Sequence, residues 1–134
     1  MLKDINRPEV ENLAVAVVKE TDEQGSEVWN VYVINLYDKP IDGVLVSSKG
    51  YGDFEGKSVK TSVLRHLIGK IDAKDYAKVE PIMTNLFGLS NEYWVSFYLD
   101  KNIYDKKYVF LPDSIQETNF IKLPVLNKKG VMIK

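Results

Sequence analysis

The chain contains no cysteine, a single histidine (His66) and only two arginines (Arg7 and Arg65). Each shortage removes a class of chemistry. Without cysteine there is no disulfide framework, no thiolate-ligated zinc and no cysteine nucleophile. One imidazole excludes any site that needs two from the same chain. A strong charge of either sign is also missing. Eighteen basic side chains against 19 acidic ones leave a net charge of −1, whereas a dedicated nucleic-acid binder carries a basic excess. No apolar run approaches the roughly 18–20 residues that cross a bilayer, and residues 1–8 lack the apolar core of a signal peptide. The expectation is a cytoplasmic protein with no membrane partner.

What is present is ordinary for a folded chain. Hydrophobic residues make up 45% of the 134 positions and charged residues 28%, which argues against disorder. The length suits one domain, residues 1–134, with its own core. Charge is mildly split. Residues 1–60 carry 7 basic and 11 acidic side chains, and residues 61–134 carry 11 and 8. The densest lysine groups, Lys106-Lys107 and Lys128-Lys129, are too short to track a phosphate backbone.

Strand signals dominate. Residues 13–18 are apolar on both faces, as in a sheet interior. The polar, Gly-containing residues 20–26 read as a hairpin loop. Residues 28–37 place Val28, Tyr32, Ile34 and Leu36 on one face and Trp29, Val31 and Val33 on the other. Pro40 and Asp42-Gly43 signal a turn before a strand at 44–48. Residues 49–60, with Gly50, Gly52 and Gly56, read as the longest non-periodic loop. Residues 61–69 hold the one helix candidate, with Ser62 as cap and Gly69 as stop, and the same stretch also reads as extended. Residues 76–82 alternate like a strand that Pro81 pushes to a sheet edge or a bulge. Residues 92–100 and 104–111 read as an antiparallel pair about a turn at 100–102. A last strand falls in 123–126 or 131–133. Seven or eight strands, at most one short helix near 62–68 and no βαβ alternation predict an all-β antiparallel sandwich of immunoglobulin or fibronectin III type. A small closed barrel is the alternative.

Motifs for chemistry are weak. Residues 52–58 suggest a phosphate loop, but only three residues separate Gly52 from Gly56, and Asp53 and Glu55 would repel an anion. His66 follows Ser62 by four residues. No Gly-x-Ser-x-Gly elbow accompanies them, and a structural or surface histidine is the simpler reading. Glu80 and Glu92 flank residues 84–91 and could pair as two carboxylates. No Asp-x-Asp-x-Asp-Gly calcium loop exists. No catalytic residue, cofactor or metal is therefore expected. The aromatics say more. Phe87, Tyr93, Trp94, Phe97, Tyr98, Tyr104, Tyr108 and Phe110 all fall within residues 87–110. On a strand, Tyr93, Val95, Phe97 and Leu99 share one face, leaving Trp94, Ser96 and Tyr98 on the other. If the first face fills the core, Trp94 and Tyr98 point outward, where such rings suit a protein or sugar partner. Burial of both faces is the competing reading.

Four strings resemble a small, single-domain bacterial family of unknown function: Val44 through Gly52, Thr61 through His66, Asn91 through Ser96 and Asn127 through Met132. The resemblance covers nearly the whole chain. Members of that family have carried the label phenylalanyl-tRNA synthetase alpha subunit. A class II synthetase core grips ATP with arginines in Arg-x-Glu and Gly-x-Gly-x-x-Arg contexts. Here Gly50-Tyr51-Gly52 is followed by Asp53-Phe54-Glu55. Arg7 precedes Glu9 only at the extreme N-terminus, beside Pro8. The chain is also far too short for an aminoacylating core. The resemblance thus implies a family and carries no catalytic residue over.

These readings converge on a non-catalytic β-sandwich module that binds a protein. The candidate surface is a loop over 47–62 with Lys49, Tyr51 and Phe54, joined by Arg65, His66 and Trp94. The alternatives are a small enzyme using His66 and an RNA- or tRNA-associated accessory domain. An exposed edge strand is also expected to offer a route to a homodimer.

Overall fold

The computed structural model describes residues 9–134. The readings of residues 1–8, Arg7 included, lie outside the described residues. Strand β1 (Leu13–Thr21) and strand β2 (Glu27–Asn35) form the predicted hairpin. Asp22 closes it: its side chain accepts the backbone N–H groups of Gln24 at 3.0 Å and Ser26 at 2.8 Å. Gly25 supplies the left-handed φ of 82° that the turn needs.

The next strand is longer than its sequence suggests. Strand β3 runs from Ile41 to Phe54 and turns directly into β4 (Lys57–Lys60). The expected loop over 49–60 is therefore a hairpin, closed by Glu55 and Gly56 at φ 51° and 78°, the conformation of a tight two-residue turn. Gly50 is in the strand because of close packing. A Cβ there would stand 3.2 Å from Thr61 Cγ2 and 3.3 Å from Asn91 Oδ1.

The helix reading of 61–69 also fails. Thr61 bonds twice to the backbone of Gly50 in β3: its N–H donates to the carbonyl at 2.9 Å and its hydroxyl accepts the N–H at 2.8 Å. Strand β5 (Leu64–Ile71) then pairs with β3 from Ser48 back to Ile41. A short apolar run has too few turns to sustain a helix alone, and β3 provides a ready ladder. Strand β6 (Asp75–Ile82) carries Pro81 and lies at a sheet edge with a register shift opposite Val31 and Tyr32, as Pro81 predicted. Strands β7 (Ser90–Leu99) and β8 (Asn102–Phe110) form the second predicted hairpin. The chain ends with β9 (Ile121–Lys122) and β10 (Lys129–Ile133). Residues 123–126 are not a strand.

The result is all-β, with two antiparallel five-stranded sheets arranged as a sandwich. The first sheet has the order β6-β2-β1-β10-β9. In the second, β3 lies between β7 on one side and β4 and β5 on the other, and β8 lies outside β7. Leu13, Val15, Val17, Val31 and Val33 of the first sheet meet Val44, Val46, Tyr93, Val95 and Phe97 of the second in one buried core. The back of the first sheet is buried as well. Leu123 and Leu126 lie over Ala14, Ala16, Val18 and Ile34, which accounts for the two-faced apolarity of residues 13–18. Beneath this cover β10 approaches β1 closely, and a Cβ on Gly130 would stand 2.5 Å from the Val17 carbonyl oxygen.

Candidate binding face

Alternation along the second sheet sends Tyr93, Val95 and Phe97 inward, and all three are buried. Their neighbours Trp94 and Tyr98 point outward and are 45% and 47% exposed. Cross-strand register then assembles the face. Arg65, Ser47, Trp94 and Lys107 stand in one row across β5, β3, β7 and β8. Leu67, Leu45, Ser96 and Asp105 stand in the next. Paired residues share a face, so Leu45 lies diagonal to Trp94 across β3 and β7, and Leu67, paired with Leu45 and 77% exposed, extends the apolar stretch onto β5.

Glu92 organises the basic residues around this patch. It faces outward yet is only 6% exposed. Lys49 Nζ lies 3.8 Å and Lys107 Nζ 3.9 Å from its carboxylate, and the Tyr51 hydroxyl donates to it at 3.3 Å. Lys107 also lies 5.0 Å from the Trp94 ring centroid, and Lys49 lies 5.8 Å from that of Tyr51, within cation–π range. Partial burial and the neighbouring Glu92 charge push the Tyr51 phenol above its ordinary pKa.

Of the six candidate residues, four gather here: Lys49, Tyr51, Arg65 and Trp94. Phe54 stands apart at the end of β3, beside the hairpin turn, 62% exposed. His66 alternates with Arg65 and turns toward the seam between the sheets. There its Nε2 lies 2.6 Å from Glu80 Oε1 on β6. Ser48 donates to the same oxygen at 2.9 Å, and Tyr93 donates to Glu80 Oε2 at 3.2 Å. Burial first, and the Glu80 charge second, push the Tyr93 phenol far up. This cluster ties β3, β5 and β7 of one sheet to β6 of the other. A groove of about 450 Å³ opens beside it, bounded by Ser48, Leu64, Glu80, Ile82, Met83 and Tyr93. Ser62 lines the same groove, but Ser48 bonds the acid and not the imidazole. The suggested pairing of Glu80 with Glu92 does not form, because Glu80 meets the inward side of β7 while Glu92 leaves its outward side.

Sequence reasoning missed Leu45, Leu67 and Lys107. Strand parity with Trp94 marks Lys107 once β8 is paired in register. Leu67 was hidden by the helix reading. Among the described residues no helix is long and apolar enough to cross a membrane, and no group of three or more His, Asp or Glu could hold a metal ion. No protein-family model and no curated protein matches the chain.

Proposed function

We propose that the protein is a non-catalytic binding module that docks a protein partner on the outer face of the second sheet, in the cytoplasm. One observation carries this reading: Trp94 and Tyr98 stand half exposed beside Leu45 and Leu67 on a sheet face that no described segment covers. Aromatic anchors of this kind dominate binding energy when a partner desolvates them. Arg65 and Lys107 flank the patch on one row and Asp105 on the next, so the matching surface is apolar at its centre and carries charges of both signs at its rim. An immunoglobulin-like assignment fits this use. The neighbour orders β1-β2-β6 and β3-β7-β8 parallel the A-B-E and C-F-G orders of that architecture. The parallel is an analogy of fold and names no partner.

The test uses a photo-crosslinking phenylalanine analogue at Tyr98 in the native host, followed by purification of the captured protein and titration calorimetry. Trp94→Ala is expected to weaken that complex about tenfold or more, and Phe54→Ala to leave it within about twofold. An affinity indifferent to Trp94→Ala, or no crosslink from Tyr98, overturns the reading.

The second reading is a small enzyme using His66, and it draws on the contact between His66 and Glu80 beside the groove. Its weakness is geometric. Glu80 occupies Nε2, and among the described residues no hydroxyl is bonded to His66 as an activated nucleophile would be.

A further inference from the structure

The sheet edges of this molecule are not alike. Folds guard exposed edges with short strands, bulges, prolines or charges. In the first sheet, β6 carries Pro81 and a register shift, and β9 has two residues. In the second, the edge opposite β8 is divided. It consists of β4, with four residues, and β5, which holds Gly69 at φ 88° and slips register against β3 between Ile41 and Leu45. Strand β8 has none of these devices. It pairs with β7 in unbroken register over all nine residues from Asn102 to Phe110 and contains no proline. Among the described residues nothing pairs with its other side.

Among the described residues only charge guards this edge, and that charge is self-complementary. The outward residues of β8 are Ile103, Asp105, Lys107 and Val109. We propose that β8 pairs antiparallel with β8 of a second copy of this chain, about a two-fold axis at Lys106. In that register Asp105 of each copy faces Lys107 of the other, and Ile103 faces Val109. Such an interface is isologous and closes as a dimer. The adjacent in-face registers fail, because an axis at Asp105 or at Lys107 sets identical charges against each other. Lys106 does stand opposite its own image on the axis, but on the inward side of the sheet, where its ammonium has partners of its own. Its Nζ is drawn into its own domain, 3.2 Å from the Val10 carbonyl oxygen and 5.3 Å from the Tyr108 ring centroid. Pairing joins the two second sheets into one. The axis runs perpendicular to the sheet, so both Trp94–Tyr98 faces lie on the same side. The module becomes bivalent, whatever its partner.

Sedimentation equilibrium on the full chain, over a concentration series, tests this. The wild type is expected to self-associate to a dimer. Asp105→Lys and Lys107→Asp should each weaken the dimer by about tenfold or more, because like charges then face each other. The double variant Asp105→Lys/Lys107→Asp should restore it, because the pair is only reversed. Circular dichroism melting checks that each variant is folded. A wild type that stays monomeric, single variants that dimerise like the wild type, or a double variant as weak as the singles would each overturn the proposal.

Discussion

The outer faces of the two sheets begin from the same alternation and end differently. On the first sheet Ala14, Ala16 and Val18 form a low surface, and the chain lays Leu123 and Leu126 across it. On the second sheet the equivalent positions hold Leu45, Trp94 and Tyr98, which project into solvent. Small residues leave room for a covering segment to reach the sheet. Large aromatics fill that space themselves. Tethering reinforces the cover, since Lys128 pairs with Glu20, which also accepts hydrogen bonds from Asn30 at 2.7 Å and Tyr32 at 2.6 Å. The first face is thus finished by the chain itself, and among the described residues the second is left open.

The sharpest way to break this contrast is to truncate a leucine on each face. Leu123→Ala removes a side chain that is 3% exposed and should cost about 3 kcal/mol in urea unfolding, through lost burial and the cavity left behind. Leu67→Ala on the open face should stay within about 0.5 kcal/mol. Equal losses would mean that the open face is structural. Gly130→Ala comes next. Its Cβ would strike the Val17 carbonyl, and the shift of β10 needed to relieve it should cost about 2 kcal/mol, read as a lower melting temperature. An unchanged melting temperature would show that the covered side yields easily.

The smallest expected effect concerns pH. Burial raises the Glu20 pKa, but hydrogen bonds from Lys128, Tyr32 and Asn30 outweigh it and hold the carboxyl below its ordinary value of 4.5. A depressed folded-state pKa contributes stability that is complete above the unfolded value and fades as pH falls through the folded one. Acid should therefore loosen the cover, by less than about 1 kcal/mol for a partly exposed pair. Glu20→Gln should flatten that part of the stability curve below pH 4.5. A curve as steep as the wild type would assign the acid loss to other carboxyls.

Much of the fold was legible because strand signals are local. Alternation identified both faces of β2 and β7, Pro81 marked an edge, and Asp22 to Ser26 announced a turn. Two stretches misled for one reason. Glycine signals a loop when read locally, yet Gly50 lies where Thr61 and Asn91 crowd the backbone. Residues 61–69 look helical only until β3 is available to pair with them. The site was legible in part for the same reason. Trp94 follows from its own strand, whereas Leu45 and Leu67 join it through pairings across distant strands. Glu80 was a candidate for the wrong partner, because no spacing in the chain brings His66, Ser48 and Tyr93 to one carboxylate.

The sequence by itself determined the all-β class, the order of most strands and the alternation that turns Trp94 and Tyr98 away from Tyr93 and Phe97. These follow from side-chain period and turn chemistry, which act over a few residues. The tertiary structure alone decided, among the described residues, which sheet face is covered and which is bare, that Glu80 joins the two sheets, and that β8 is the long edge with no strand beside it. Those outcomes depend on strand pairing between segments far apart in sequence, where register and not local preference sets the neighbours.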